Sequence, residues 1–100
     1  MKRIRFIAAA RQEFLAEVAY YSEAQSGLGG HFAAAIEEAT VRALAFPQAG
    51  SPAAANTRRV FIKGFPFSII YRAEGNSIVV FAVAHHVRQP GYWRKRVKPR

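Results

Sequence analysis

Residues 78–84 form an unbroken apolar run, Ile-Val-Val-Phe-Ala-Val-Ala, within a chain of 100 residues. A continuous run of this kind is typical of a strand that is buried on both faces, because a strand with one solvated face alternates apolar and polar residues. The run therefore predicts the central strand of a sheet, and it constrains the fold of this chain more than any other segment does.

Three further segments are rich in β-forming residues and are predicted as strands: 3–7, 58–63 and 67–72. Gly64-Phe65-Pro66 separates the last two of these segments and predicts a bend between them. Glu74-Gly75-Asn76-Ser77 leads into the apolar run and predicts a hairpin turn, because Gly and Asn both tolerate positive φ.

Between the first predicted strand and the second, the apolar period changes to that of a helix. Two apolar stripes predict amphipathic helices over about 9–25 and 29–45, and the glycines of Ser26–Gly30 separate them. A short link between two helices favours an antiparallel helical hairpin. The stripe residues are predicted to lie in the core: Phe14, Val18, Tyr21, Phe32, Ile36 and Phe46.

The element order is strand, helix, helix, strand, strand, strand, which predicts one α+β domain over residues 1–100. In this fold class the helical hairpin covers one face of a small, largely antiparallel sheet. Residues 46–57 contain Pro47, Gly50 and Pro52 and are predicted as a surface loop. Residues 95–100 are predicted as a flexible basic tail.

The net charge of +9 is confined to one half of the chain. Residues 1–57 carry five basic and five acidic side chains, whereas residues 58–100 carry ten basic side chains and one acidic one, Glu74. Solubility alone does not require such a separation. A positive field on one side of the molecule favours an acidic protein, a nucleic acid or a ribonucleoprotein as partner.

Several chemistries are not expected of this sequence. The chain has no cysteine, which excludes disulfides and fits a reducing cytoplasm. Its three histidines do not converge, since His31 lies in a predicted helix, so no metal site is expected. The N-terminus is too polar for a signal peptide, and no apolar run reaches the roughly 18 residues of a membrane span. We expect a cytoplasmic protein that uses no cofactor.

Three stretches resemble the ParE-like (plasmid stabilization) branch of the RelE/ParE toxin superfamily: Phe-Pro-Phe-Ser-Ile-Ile-Tyr-Arg (65–72), Val-Val-Phe-Ala-Val-Ala-His-His-Val-Arg (79–88) and Pro-Gly-Tyr-Trp-Arg (90–94). The helix with Phe14 and Tyr21, the Ala-rich second helix, Phe46-Pro47 and Arg58-Arg59-Val60 are similar to the family at the corresponding places. Each stretch is short, and the specificity of the resemblance comes from their order and spacing along nearly the whole chain.

The resemblance implies a type II toxin that is encoded beside its antitoxin, a usually acidic and partly disordered protein that wraps over the toxin in a heteromeric complex. In the ParE branch the expected target is DNA gyrase. In the RelE branch the toxin enters the ribosome and cuts mRNA, so a ribosome-dependent mRNA endonuclease is the alternative. A third possibility is a degenerate toxin that only binds its antitoxin and helps to regulate their operon.

The relatives that cut mRNA carry an arginine before the strand pattern that ends in tyrosine, and this chain has Ser68 there. This difference counts against nuclease activity, so no catalytic residue is favoured. The nuclease alternative would use His86, Arg88 and Tyr92. Basic and aromatic residues are predicted to contact the target or the antitoxin: Arg58, Arg59, Arg72, His86, Arg88, Tyr92, Trp93 and Arg94.

Some of these residues have a structural alternative. Adjacent strand residues point to opposite faces, so His85 and His86 cannot share one site without a bulge. We expect His85 to pack or to hydrogen-bond structurally, and the role of His86 stays open. Arg58 and Arg59 divide in the same way, and either one is a candidate for binding. Trp93 belongs to a binding surface or, alternatively, closes the core.

Overall fold

The computed structural model describes residues 2–98 as a five-stranded sheet with a helical hairpin on one face. The elements in chain order are β1 (Ile4–Phe6), α1 (Ala8–Ala24), α2 (Leu28–Ala45), β2 (Ser51–Ala53), β3 (Thr57–Phe61), β4 (Phe67–Glu74) and β5 (Ser77–His85). Single 3₁₀ turns span Ala54–Asn56 and Arg94–Arg96. The predicted α+β class, the helical hairpin and the order of the predicted elements are confirmed.

The predicted central strand is β5, which pairs with β1 in parallel and with β4 antiparallel in the sheet order β1-β5-β4-β3-β2. Its residues from Ile78 to Val83 are all buried. A β-bulge changes the register, because Ile70 opposes Ala82 whereas Tyr71 opposes Val80. The extra residue sends Phe81 and Ala82 to the same face of the sheet, opposite to the helices.

The helices pack on what we call the helix face of the sheet, where an aromatic cluster fills the core. The ring of Phe32 lies 5.2 Å from those of Tyr21 and Phe67 and 5.1 Å from that of Phe65. Gly29 lets α2 approach α1, since a Cβ there would lie 2.5 Å from the carbonyl oxygen of Val18. Neither helix, among the described residues, is long and apolar enough to cross a membrane.

The predicted core residues of the hairpin lie in this core, except Phe46. Phe32 and Ile36 are buried, and Phe14, Val18 and Tyr21 pack against them. Phe46 is 66% exposed, so its assignment to the core was wrong. It is the C-cap of α2, with φ −133° and ψ 71°, and helical spacing does not extend past the point where the chain leaves the helix.

A second core lies on the opposite face of the sheet, which we call the far face. Trp93 and Val97 are buried there, packed with Ile70, Val79, Phe81 and Ala82. We call residues 88–97, which bring Trp93 and Val97 across the sheet, the C-terminal strap. Residues 95–100 were predicted as a flexible tail, and the structure instead packs Val97 against the sheet and binds Arg96 to Glu13; residues 99–100 lie outside the described residues.

Two local features differ from the sequence analysis. Part of the predicted 46–57 loop is β2, which pairs antiparallel with Thr57–Arg59. Pro52 hides this strand from a sequence reading, although an edge strand tolerates proline because its outer side needs no amide donor. In the β4–β5 hairpin only Gly75 takes positive φ, 63°, and Asn76 does not use its tolerance of that region.

Candidate interaction surface

The far face of the sheet carries an open groove of about 310 Å³ between the C-terminal strap and the β2 segment. Ser68, Ile70 and Ala84 form its floor, and Pro52–Ala54 form one wall. The opposite wall is made of the first half of the strap, Pro90–Trp93. We call this concavity the far-face groove. Its remaining lining residues are His85, His86, Arg59, Arg88 and Gln89.

A carboxylate from α1 holds the strap in place. Glu13 accepts two hydrogen bonds from the guanidinium of Arg96, at 2.9 and 3.0 Å, and one from the hydroxyl of Tyr92 at 2.7 Å. Arg88 lies 3.4 Å from the same carboxylate, and the side chain of Glu13 is only 14% exposed. We call Glu13, Val83, Arg88, Tyr92 and Arg96 the Glu13 cluster.

The Glu13 cluster also closes the part of β5 that β1 does not reach. The pairing of β1 with β5 ends at Phe6 and Val80, which leaves the following residues of β5 without a neighbouring strand on that side. Glu13 accepts the amide proton of Val83 at 3.0 Å, and Arg96 donates to the carbonyl of Phe81 at 3.1 Å. Buried backbone groups need such partners, so the ion pair is tied to the strand as well as to the strap.

The phenol of Tyr92 keeps its proton in this environment. Burial raises its pKa above the usual 10, and the hydrogen bond to Glu13 and the negative charge of that carboxylate raise it further. The nearby charges of Arg88 and Arg96 oppose these effects without cancelling them. The guanidinium of Arg88 stacks 3.9 Å from the ring centroid, which fixes the cation over the aromatic face. The pKa of Arg96 is likewise raised, chiefly by its hydrogen bonds to Glu13.

The other end of the groove is formed around His86. Its Nε2 lies 3.0 Å from the hydroxyl oxygen of Ser68, and its ring meets that of Phe61 edge to face at 5.3 Å. The guanidinium of Arg59 lies 5.1 Å from the centre of the Phe61 ring. His86, Phe61 and Arg59 are all exposed, so an imidazole and a cation at this end of the groove, with an apolar ring beside them, are accessible to a partner.

The two adjacent histidines take different roles, as the sequence analysis expected. The ring of His85 packs 4.8 Å from that of Phe67 on the helix face, and its Nδ1 accepts the amide proton of Val87. His86 faces the groove. Within residues 2–98 no three side chains of the kind that bind metals come close enough to hold an ion.

Two of the predicted binding residues serve the fold instead. Arg72 is 7% exposed and donates to the carbonyls of Ala55, Asn56 and Lys98, so it joins the 3₁₀ turn to the end of the strap. Arg58 donates to the carbonyl of Gly50 at 2.7 Å and to both the carbonyl and the side-chain amide oxygen of Gln48. Their donors are directed into the molecule, which makes both residues poor candidates for contact with a partner.

The aromatic and basic residues of the strap also separate by exposure. Trp93 is 5% exposed and packs in the second core, which is the structural alternative weighed for it. Arg94 is exposed beside Gly91, whose φ of 74° turns the chain at that point. The side chain of Arg88 is 54% exposed, so it faces a partner while it touches Glu13. Of the residues predicted to bind, Arg59, His86, Arg88, Tyr92 and the largely buried Trp93 line the groove.

Glu13 was not among the residues predicted from the sequence to form a site. Two signals point to it. It lies three residues after Ala10, a spacing that places both residues on one face of α1, and Ala10 is buried. The half of the chain after residue 57 has one carboxylate, so arginines packed there need an acid from the first half.

Comparison with known proteins decides the family. The family model described as "ParE toxin of type II toxin-antitoxin system, parDE" matches residues 4–90 of this chain. The chain belongs to the ParE toxin family. The match includes Glu13 and both ends of β5, whereas the strap residues after Pro90 lie beyond it.

A solved structure has the same fold. A chain from the "Chromosomal ParDE TA system from P. aeruginosa" superposes with a TM-score of 0.57 at 16% sequence identity, over 85% of this chain and 96% of that chain. At this identity the likeness concerns the fold alone. A search of curated proteins found no match. Membership of the ParE toxin family therefore establishes a type II toxin, and its target must be argued from the surface.

Proposed function

We propose that this ParE toxin inhibits growth by binding DNA gyrase through the far-face groove and performs no chemistry on its target. The observation that carries the proposal is which of the groove residues are exposed and which are hydrogen-bonded inside the molecule. Arg59, His86 and Arg88, which suit binding, are exposed, whereas the hydroxyl of Tyr92, a group that RNA cleavage would need, is bound to Glu13. The proposed place of action is the cytoplasm, where gyrase is found.

The exposed end of the groove has the chemistry of a protein interface. Arginine and aromatic side chains supply much of the binding energy at such interfaces, and Arg59 with Phe61 forms such a pair. Arg88, stacked on Tyr92, forms a second pair on the opposite wall. The cations also favour a partner with negative charge at the contact and accelerate the encounter with it.

RNA cleavage would need a proton acceptor and a proton donor beside the scissile phosphate. Tyr92 is a poor acceptor because its raised pKa keeps the phenol protonated, and its proton is directed to Glu13. Ser68, in the place of the arginine of the mRNA-cleaving relatives, contacts His86 and supplies no cation. His86 is exposed at the groove, and no carboxylate is among the described residues that line it.

The test is a supercoiling assay with purified gyrase and purified toxin. We expect inhibition by the wild type and a loss of inhibition in Arg59→Ala, because Arg59 lines the groove. Lys63→Ala is the matched control, since Lys63 is an exposed cation beyond the end of β3 that does not line the groove. Full gyrase activity at a large excess of toxin would overturn the proposal.

The mRNA endonuclease alternative is tested in cells. Primer extension on translated messages after toxin induction would reveal new 5′ ends if the toxin cut mRNA. We expect none, together with growth arrest when the toxin is expressed without its antitoxin. New 5′ ends that disappear in His86→Ala would replace the gyrase proposal by the nuclease, and normal growth would favour a toxin that only binds its antitoxin.

We further propose that an acidic antitoxin neutralises the toxin from the β1 side of the hairpin. Four cations of the first eleven residues are exposed around β1, at the edge of the sheet: Lys2, Arg3, Arg5 and Arg11. An apolar groove of about 290 Å³ lies beside them, with Phe6, Phe14 and Leu15 in its lining. A segment with acidic and apolar side chains fits both features, by strand addition or as a helix.

The antitoxin site is tested by titration calorimetry with the protein encoded beside the toxin. Arg11→Glu should weaken the complex by about 1–3 kcal/mol, because Arg11 both carries charge and lines the apolar groove. Lys63→Glu makes the same change of charge on another part of the surface and should leave the affinity near that of the wild type. Equal losses in both variants would show a nonspecific effect of charge and would contradict the proposed site.

A further inference from the structure

We propose that Glu13 is a positioning residue for target binding, because it holds the C-terminal strap in the place where the strap forms one wall of the far-face groove. Glu13 does not line the groove itself. It acts through Arg88 and Tyr92, which do line it. The effect on the target rests on the proposed function, whereas the effect on the strap does not.

The strap is attached to the rest of the molecule by few elements. Trp93 and Val97 pack on the far face, and Arg72 binds the carbonyl of Lys98 at the end of the strap. Apart from the bond that Arg96 donates to the carbonyl of Phe81, the side-chain hydrogen bonds that the described strap residues donate converge on Glu13, which receives donors from the start, the middle and the end of the strap. The carboxylate of Glu13 on α1 therefore fixes the positions of three strap residues.

The charges of the strap explain why a carboxylate is needed at this point. The guanidinium groups of Arg88 and Arg96 lie 3.9 and 5.1 Å from the centroid of the Tyr92 ring. Two guanidinium groups so close together repel one another unless an anion lies between them. Glu13 is the carboxylate that contacts both guanidinium groups. A neutral side chain at this position would leave the repulsion between them uncompensated and would favour their separation.

Displacement of the strap would change the groove in two ways. Tyr92 and the stacked Arg88 would lose their fixed orientation, and the wall made of Pro90–Trp93 would move away from the floor at Ile70. A binding surface depends on such fixed side chains, because each side chain that must be ordered on binding lowers the affinity. Glu13 thus influences affinity for the target from a position that the target does not contact.

The chain contains its own reporter of the strap. Trp93 is the single tryptophan of the sequence, and it is buried between the strap and the sheet. Its fluorescence therefore measures whether the strap is seated. We expect Glu13→Gln, which removes the charge and keeps an oxygen acceptor for the amide of Val83, to shift the emission to longer wavelength and to increase quenching by acrylamide. Far-UV circular dichroism should stay close to that of the wild type.

The control is Glu23→Gln, which removes the same charge from an exposed position of the same helix and should leave Trp93 fluorescence unchanged. Glu13→Asp, which restores the charge on a shorter side chain, should recover part of the wild-type signal. If the first variant fails to fold, Arg96→Gln and Tyr92→Phe probe the same contacts from the strap. Wild-type fluorescence in all of these cluster variants would overturn the proposal.

The consequence for binding is measured separately, as inhibition of gyrase. We expect Glu13→Gln to raise the concentration needed for inhibition by roughly an order of magnitude, as for the loss of one important interface residue, and Glu23→Gln to leave it unchanged. An open strap with unchanged inhibition would contradict the positioning role. A wild type that does not inhibit gyrase would refute the proposed function and leave the fluorescence results as the test of the strap.

Discussion

At the scale of single residues, the cations of this toxin fall into two groups. Arg58 and Arg72 are bound to backbone carbonyls and stabilise loops, whereas Arg59 and Arg88 face the groove. The sequence alone does not distinguish the two groups. Arginines at neighbouring positions of a strand point to opposite faces, and the sequence does not show which of them finds acceptors inside the molecule. The separation comes from the acceptors that the fold places beside each guanidinium.

The hydroxyl of Tyr92 provides a prediction at this scale. Tyr92→Phe should lower the free energy of unfolding by about 1.5–3 kcal/mol near pH 8, because a hydrogen bond to a charged carboxylate is lost. Urea unfolding followed by circular dichroism measures this difference.

The same difference should shrink as the pH rises. The folded-state pKa of Tyr92 lies above 10, so above that pH the unfolded chain releases this proton while the folded chain keeps it. The contribution of the hydroxyl is fully present below pH 10 and is lost as the pH rises toward the folded pKa. The other tyrosines are the same in both proteins, so their contributions cancel in the comparison. A difference that is constant from pH 8 to pH 11 would contradict the raised pKa.

At the scale of elements, the contact between α1 and α2 depends on a position without a side chain. Gly29 lies against the carbonyl oxygen of Val18 and the side chain of Ser22. Gly29→Ala should lower the free energy of unfolding by about 1–3 kcal/mol, because the added methyl group forces the helices apart. Thermal unfolding should show a lower Tm.

The adjacent glycine offers a matched control. A Cβ at Gly30 would meet no atom within 4 Å, and this residue lies in the same helix. Gly30→Ala should therefore raise stability by about 0.5–1 kcal/mol through helix propensity alone. If both variants changed the Tm in the same direction, the close approach of the helices would not explain the role of Gly29.

The elements that could be predicted from the sequence are those whose burial follows from a local pattern of apolar residues. The apolar run of β5 predicts a strand covered on both faces, and the helical spacing of Phe14, Val18 and Tyr21 predicts α1. The short β2 could not be predicted, because its pairing depends on β3 and its sequence is typical of a turn. The end of the strap was missed, since the basic composition of residues 95–100 suggests a solvated tail, whereas Val97 packs in the far-face core and Arg96 binds Glu13.

The candidate site, like the fold, could be predicted only in part from the sequence. Arg59, His86, Arg88 and Tyr92 were expected from their chemistry, and the structure brings them to one groove. The engagement of Tyr92 depends on its hydrogen bond to Glu13, 79 positions away in the chain, and the burial of Trp93 depends on strand residues that the strap meets only in the folded protein. Local spacing contains no information about such pairs.

At the scale of the whole molecule, the sheet is covered on both faces by very different amounts of chain. Two helices cover one face, and one strap covers part of the other. Deletion of residues 91–100 should therefore expose Ile70, Val79 and Phe81 and reduce the yield of soluble, folded protein, at a cost comparable with about 3–5 kcal/mol for a lost core tryptophan.

The matched control keeps the strap and removes its outward charge. Arg94→Ala and Lys95→Ala alter exposed side chains and should leave the free energy of unfolding within about 0.5 kcal/mol of the wild-type value. Size-exclusion chromatography and binding of a hydrophobic dye distinguish the truncated chain from these variants. A truncated protein with wild-type Tm and no dye binding would show that the far-face core is dispensable.

The ion pair between Glu13 and Arg96 also affects how one copy of the toxin can associate with another. An uncovered strand margin is a template on which another molecule can continue a sheet, and such growth ends in fibres or swapped dimers. Beside the end of β5 that template is missing, because a carboxylate and a guanidinium already occupy the amide of Val83 and the carbonyl of Phe81. Here two charged side chains protect the toxin against self-assembly along that margin.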